Sequence, residues 1–545
     1  MKENIQEEII RLIKESVSLL KIDSVFLNEL RLDPTQDLRF GDLSTNIAMR
    51  LSKHLKMPAD KVAFNILSAV NSILEKSPLK ELIREVKVEG AGFINFYLSD
   101  KYLYQQLKDI VDKEINALRL NIGKGKAVLI EFVSANPTGS LSVAHARQAA
   151  VGDALANILE FLNFKVKKEY YLNDEGNQID ILGKSVYLRI KELSGEKIEF
   201  PDNYYQGGYI YDIAKEAKQA GIEEKSLGDF SANYILNIIR RELDDFGVKF
   251  DSWYSQKELN KSGKIEEALK FLKKKGFLYD QDGALWFKST SFGDDKDRVL
   301  IKSDGAYTYL APDIAYHDDK YKRGFEWLIN LWGPDHHGYI GRLKASVEAF
   351  GRLPGSLSVL IVQLATIFKG GNPVQMSTRR GEYITLREVL EEVGKDASRF
   401  FFMSRRISSH LDFDLDIAKK QTAENPVYYV QYAYARIYSI LRNSSVKPDK
   451  CADLSLLKEE EEKVLIKKLL QFPYILNVCF NTQDPYMLTV YLQELAESFH
   501  KFYDRHRVLT DNEALTKARL SLIEGVRIIT GTSLELLGIS CPQKM

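Results

Sequence analysis

Between residues 121 and 172 the chain reads as a short apolar strand, a turn rich in glycine and proline, a long helix and a second strand. In NIGKGKAVLIEF, glycine punctuation precedes a continuous apolar run, the pattern of a parallel strand buried on both faces. Val151, Leu155, Ile158, Leu159 and Leu162 then recur at helical spacing, and FKVKKEYYLND supplies the next strand. A strand–helix–strand unit connects in a right-handed sense and collects ligands where strand C-termini meet helix N-termini. This stretch therefore commits its domain to a parallel α/β sheet and places a site at one edge of it.

The chain has 545 residues, more than one hydrophobic core organises, so a multidomain α/β protein is expected. Residues 1–115 read as a compact α+β unit. In it, Asp42 or Ser44 is a candidate helix cap, and VKVEGAGFINFYLS alternates as a hairpin around Gly90 and Gly92. Residues 116–390 read as a Rossmann-like parallel-sheet domain, with a mostly helical insertion at about 183–290 in which no chemistry is legible. The sheet pattern resumes at DRVLIKSDGAYTYLAP, where Asp304-Gly305 signals a turn, and at WLINLWGPDHH. After about residue 390 strand patterns vanish, and residues 391–545 read as an all-α helical bundle.

Lys and Arg total 76 against 76 Asp and Glu, so no long-range attraction for nucleic acid is built into the chain and any such binding must use local patches. Cys451, Cys479 and Cys541 show no CxxC spacing, which argues against a zinc site or a disulfide framework and fits a reducing, cytoplasmic setting. The N-terminal segment mixes Glu and Lys through an amphipathic pattern, unlike a signal peptide or a membrane span.

In SANPTGSLSVAHARQ, the turn Pro137-Thr138-Gly139 lets backbone approach a ligand, and Ser142 can cap the helix that carries His145. Helix N-termini suit polyphosphate; the bland alternative is a tight strand-to-helix connection. A second loop, KGGNPVQMSTRRGEYITL at 369–386, gathers Lys369, Arg379 and Arg380 with the hydroxyls of Ser377 and Thr378. It suits a pyrophosphate leaving group, or is a solvated surface loop. Glu131 ends an apolar strand, where burying an unpaired carboxylate is costly, so a cationic partner is expected, from a ligand or from a protein Lys or Arg. His336 and His337 are adjacent, without the helical ligand spacing of a zinc site, so no metal site is assigned; a core histidine is the bland reading of His337. In PVYYVQYAYARIYSILR, Tyr428 and Tyr432 share one helical face and Tyr434 and Tyr438 another, interleaved with Arg436 and Arg442. Such residues stack on splayed RNA bases, or are core.

The ordered series FGDLSTNIAMRLSK, GAGFINFYLS, EFVSANPTG, YYLNDEGNQI, DGAYTYLAPDIAYH, LWGPDHHGY and ENPVYYVQYAYARIYSILR resembles arginyl-tRNA synthetases of bacterial type, within the class I aminoacyl-tRNA synthetases, across nearly the whole chain. SANPTGSLSVAHARQ is similar to their HIGH-type signature and VQMSTRRG to their KMSKS-type loop. Two departures stand out: Ser142 and Ala144 replace the first histidine and the glycine of the former, and Gln375 and Thr378 occupy the lysine positions of the latter. Ser142 still offers a hydrogen bond, and Arg379 and Arg380 still offer charge.

The resemblance implies a ligase that activates L-arginine with ATP to arginyl-adenylate and transfers it to the 3′-terminal adenosine of tRNA(Arg), as a cytoplasmic monomer, with Mg2+ carried by ATP and no dedicated metal site. It makes His145, Ser142, Ser377, Arg379 and Arg380 the catalytic set. It assigns arginine to Glu131, Ser134, Asn136, Tyr309 and Asp313, and ATP to Gly139, Ser142, His145, Gly333, Asp335, His336, Gln375, Met376 and Ser377. Phe93 and Asn95 would contact tRNA from the N-terminal unit, and Gln431, Tyr432, Ala433 and Arg436 from the anticodon-binding helical domain, with KFYDRHR at 501–507 as a phosphate strip. Three rival readings are another class I synthetase, a small-molecule nucleotidyltransferase and a non-enzymatic RNA-binding relative.

Overall fold

The computed structural model describes residues 5–20, 27, 30–35, 37–374 and 383–545. Its central sheet has five parallel strands, labelled in chain order β1 (Ala127–Glu131), β2 (Lys165–Leu172), β3 (Ser252–Ser255), β4 (Trp327–Trp332) and β5 (Leu357–Ile361). They lie side by side as β5-β4-β1-β2-β3, so the direction of winding reverses between β1 and β4, where open α/β sheets bind ligands. The apolar run AVLIE is buried on both faces, as helices cover both sides of the sheet.

Six helices matter below: α1 (Val143–Phe161), α2 (Tyr209–Gln219), α3 (Leu227–Asp245), α4 (Leu310–Lys322), α5 (Leu386–Met403) and α6 (Pro426–Asn443). The apolar spacing within α1 suggests one buried face, yet the structure buries nearly all of it, Arg147, Gln148 and Asp153 included. Sheet covers one side, and α5 and the C-terminal helices cover the rest.

The 183–290 region is mostly helical, with three short strands in its second half. Ser252–Ser255 leaves it to become a strand of the central sheet, pairing with Glu169–Leu172, and Leu278–Gln281 and Ala284–Phe287 join Arg298–Ile301 in a small antiparallel sheet. Strands do not end at 390: Leu411–Asp414 pairs in parallel with Ala365–Lys369. The alternation Leu411 and Phe413 in, Asp412 out is a strand signal in LDFD too short to stand out among helices.

The N-terminal unit carries a four-stranded antiparallel sheet that includes the expected hairpin, Ile83–Glu89 with Phe93–Leu98. Gly92 sits at φ +116° against the Ala59 carbonyl, where a side chain would collide. Asp42 caps no helix. Its carboxylate accepts the Leu98 amide at 2.7 Å and pairs with Lys467 of the helical domain at 2.8 Å. Lys463–Asp100 at 2.7 Å adds a second tie between the chain's two ends.

In the C-terminal domain Asn425 caps α6 through the Val427 amide, with Pro426 at the first helical position. Four longer-range neighbours, Glu460–Leu470, Phe472–Thr482, Tyr486–Arg505 and Glu513–Leu536, complete the bundle. No described helix is long and apolar enough to cross a membrane.

Candidate active site at the sheet edge

Glu131 ends β1 directly opposite Asn330 of β4. The cation its burial demands is Lys320, fully buried on α4, whose Nζ lies 2.5 Å from Glu131 Oε2 and 3.3 Å from Asn330 Oδ1. Glu131 is thus ion-paired within the protein, and only its Oε1 faces elsewhere, receiving the Ser134 hydroxyl at 3.3 Å. Directly after β1, Val133 and Ser134 adopt φ +67° and +41°, costly for non-glycine residues and typical of functional sites. This bend lets Ser134 Oγ also accept the Tyr171 amide at 3.1 Å. Asn136 donates to Gln178 at 2.7 Å.

Asp313 projects from the first turn of α4, held by a 2.7 Å hydrogen bond from the Tyr339 hydroxyl to its Oδ2. Burial pushes its carboxyl up to about 6; the Tyr339 hydrogen bond works against this, the Glu131 charge adds to it, and Lys320 and His336 oppose it. Among the described residues no Lys or Arg forms an ion pair with it. Such a carboxylate lacks the partner that buried charge requires. Tyr171 and Tyr254 pack at a tilt against Tyr316 nearby, each with its ring centroid 4.6 Å from that of Tyr316. Tyr309 stands one turn before Asp313 and is 83% exposed, turned to solvent.

At the start of α1, the Ser142 amide donates to His145 Nδ1 at 3.2 Å and its hydroxyl lies 3.1 Å from the same nitrogen. Desolvation lowers the imidazole to about 4, with Asp335 opposing, so the ring is neutral. Since Nδ1 accepts, the hydrogen sits on Nε2 and makes that atom a donor. The serine that replaces a motif histidine therefore orients the histidine that remains.

The preceding turn is clamped from two directions. Tyr209 of α2 donates to the Thr138 carbonyl at 2.7 Å, and Tyr383 to that of Ser140 at 2.8 Å. Residues 384–386 zip onto it through Leu386 N to Leu141 O at 2.8 Å and Val143 N to Ile384 O at 3.3 Å. A side chain at Gly139 would approach the Tyr383 hydroxyl to 3.2 Å. Gln375, Met376, Ser377, Thr378, Arg379 and Arg380 lie outside the described residues. Lys369, before them, pairs with Glu392 at 2.8 Å.

After β4, a side chain at Gly333 would meet the Asp335 carboxylate, with Oδ1 at 2.7 Å. Asp335 meets His336 Nδ1 at 3.1 Å. His337 is exposed, not in the core. The two turns that follow β1 and β4 thus face each other across the switch point, His145 and Asp335 near enough to interact electrostatically.

The residues expected to meet RNA separate by burial. Phe93 is 42% exposed, but Asn95, on a central strand, is buried and accepts the Ser44 hydroxyl at 2.6 Å. Gln431 is buried, donating to Asp396 at 2.8 Å and the Ser540 carbonyl at 3.0 Å, and Ala433 is buried beside it. These three lie in the interior because sheet pairing on both sides and packing against the C-terminal segment cover them. Tyr432 remains half-exposed, stacked with Tyr428 at 6.1 Å. Arg436 lies 4.5 Å over its ring and 4.6 Å over that of Tyr503. In the 501–507 strip, Arg505 and His506 are both paired with Glu461. Lys320, Tyr339, Tyr209 and Tyr383 are given no role by sequence reading; only their place in the fold reveals them.

A parallel sheet wound in this order, with a helix-start histidine after its first strand and a glycine turn after its fourth, defines the catalytic domain of a class I aminoacyl-tRNA synthetase. Residues 106–408 match the family described as tRNA synthetases class I (R), catalytic domain; residues 2–98 match the arginyl tRNA synthetase N terminal domain, and 430–545 the DALR anticodon binding domain. The chain belongs to the arginyl-tRNA synthetase family. It is 46% identical over 521 residues to the arginine–tRNA ligase of Citrifermentans bemidjiense, covering 93% of each chain, and 42% identical over 560 residues to that of Syntrophotalea carbinolica, covering both completely. A solved putative arginyl-tRNA synthetase from Campylobacter jejuni is similar at 37% identity and TM-score 0.75, spanning 82% of this chain and all of that one. The Thermus thermophilus arginyl-tRNA synthetase shares the fold at TM-score 0.78 and 22% identity, over 99% of this chain and all of that one.

Proposed function

We propose that this chain is an arginine–tRNA ligase: it activates L-arginine with ATP and transfers the arginyl group to the terminal adenosine of tRNA(Arg). The observation that carries this reading is Asp313, a carboxylate at the sheet's ligand-binding edge that takes a hydrogen bond from Tyr339 but, among the described residues, forms no ion pair with a Lys or Arg. A guanidinium offers a planar fork of donors suited to such a group. In this reading Asp313 takes the guanidinium and Tyr309 turns inward over it. Ser134, Asn136 and the Oε1 side of Glu131 hold the amino-acid end, while Lys320 fixes Glu131 through its other oxygen.

ATP lies against the start of α1, with Gly139 permitting close approach and His145 Nε2 donating to a phosphate oxygen. Gly333, Asp335 and His336 take the adenosine; Gln375, Met376, Ser377, Arg379 and Arg380 take the departing pyrophosphate, with Ser142 acting through His145. The arginine carboxylate attacks the α-phosphorus in line, forming the mixed anhydride as the bond to pyrophosphate breaks; a tRNA ribose hydroxyl then displaces AMP. Such chemistry asks for positioning and charge stabilisation rather than covalent help, and Mg2+ arrives with ATP. Phe93 and Tyr432 are the exposed members of the tRNA-facing set, and Arg436 is half-buried beside Tyr432. The enzyme is proposed to act as a cytoplasmic monomer.

Pyrophosphate–ATP exchange, run with and without tRNA, tests the reading. Exchange that depends on arginine is expected; dependence on another amino acid, or none under both conditions, overturns it.

A further inference from the structure

Tyr339 ends the 334–339 turn after β4 and leads into the helix Ile340–Ala349. Its ring packs edge-on against Trp332 at 6.0 Å, under the Arg342 guanidinium at 4.8 Å. Its hydroxyl donates to Asp313 Oδ2 on α4 at 2.7 Å. A carboxylate that must grip a planar fork needs a fixed plane and a free oxygen. A phenol suits that task because it occupies one oxygen, donates only one hydrogen and brings no charge to repel a cationic ligand.

We propose that Tyr339 is a positioning residue for arginine selection, its hydroxyl fixing the Asp313 carboxylate so that the other oxygen meets the guanidinium. This rests on the reading of Asp313 given above. The groups that face Asp313 are Glu131 from β1, Tyr171 from β2, Lys320 from its own helix, and His336 and Tyr339 from the turn after β4. Burial and Glu131 favour the protonated carboxyl; Lys320, His336 and the Tyr339 hydrogen bond favour the charged one. Losing the hydroxyl should therefore disorder Asp313 and also make it harder to ionise.

The test is Tyr339→Phe in arginine-dependent exchange, with kcat/KM for arginine followed from pH 5 to 8. Expected are a ~10-fold rise in arginine KM, an ATP KM within about twofold of the parent, and an acid limb displaced to higher pH. An unchanged arginine KM, or a kcat loss with the acid limb unmoved, would overturn the proposal while leaving the activity assignment intact; absence of arginine-dependent exchange in the parent enzyme would instead remove the assignment itself. Calorimetry of the parent and of Tyr339→Phe in two buffers of different ionisation enthalpy gives a second readout: proton release on arginine binding at neutral pH is expected to be larger in the variant, and equal release counts against the proposal.

Discussion

Two charged side chains on helices flanking the same sheet, Arg147 on α1 and Asp313 on α4, are treated in opposite ways. Arg147, two residues beyond His145, is fully buried where α1 meets the passage to the helical domain. Its guanidinium donates to the carbonyls of Gln363 at 2.7 Å, Ser409 and Arg406 at 3.0 Å, Leu364 at 3.3 Å and Phe402 at 3.4 Å. Burial draws it down to about 10, so it stays charged at neutral pH. Asp313, at the open edge of the sheet, has one hydroxyl donor and a carboxyl pushed up to about 6. The saturated charge binds parts of the chain together, and the undersupplied one is left for a ligand.

The sharpest way to break that contrast is Arg147→Met, which leaves several buried carbonyls without donors. It should lower unfolding stability by about 3–5 kcal/mol, read as a drop in the denaturant midpoint; a loss under about 1 kcal/mol would show that water satisfies those carbonyls. Asp313→Asn should act in the other direction. Arginine KM is expected to rise ~100-fold, with tRNA affinity within about twofold of the parent. Stability should nevertheless increase: above pH 6 the native carboxylate is ionised at a cost the unfolded chain does not bear, and that cost fades as pH falls through 6 towards 4. The asparagine variant is thus expected to gain about 1–3 kcal/mol at pH 8 and nothing near pH 4. A loss of stability at pH 8 would mean that the empty pocket already satisfies Asp313.

How these features read from sequence follows the range of the interactions behind them. The strand, turn and start of α1 are local, and AVLIE, the glycine turn and the helical spacing announce them. The Glu131–Lys320 pair closes across 189 residues, and α4 gives little hint of it, because LAPDIAYHDDKYK mixes apolar and charged side chains around a helix buried over most of its surface. Arg147 looks like one more polar residue on a half-buried helix until α5 and the C-terminal helices close over it. Gln431 and Ala433 flank the exposed Tyr432, where a 100° turn around a helix separates core from solvent; Asn95 shares a strand face with exposed Phe93 yet is buried between Ile94 and Phe96. Motif similarity identifies the stretch but not the facing direction.

The smallest expected effect bears on the part of the chain in which sequence shows no chemistry. Tyr209, on α2 in the 183–290 region, contributes a single neutral hydrogen bond, 2.7 Å from the Thr138 carbonyl, on the turn proposed to cradle phosphate. Its partner on the other side of the turn, Tyr383, follows the loop proposed to take pyrophosphate and holds the Ser140 carbonyl. With both clamps in place the backbone before α1 is fixed from the helical region and from the loop exit together, so Tyr209→Phe should relax one side only. One such bond is worth about 1 kcal/mol, which corresponds to a roughly 3- to 5-fold rise in ATP KM with arginine KM unchanged. Because Phe keeps the packed ring, thermal stability should hardly move, which separates positioning from packing. If ATP KM stays constant while the melting temperature drops, α2 supports the fold alone, and the line between saturated structural contacts and undersupplied functional ones would have to be drawn closer to the sheet than the Tyr209 contact places it.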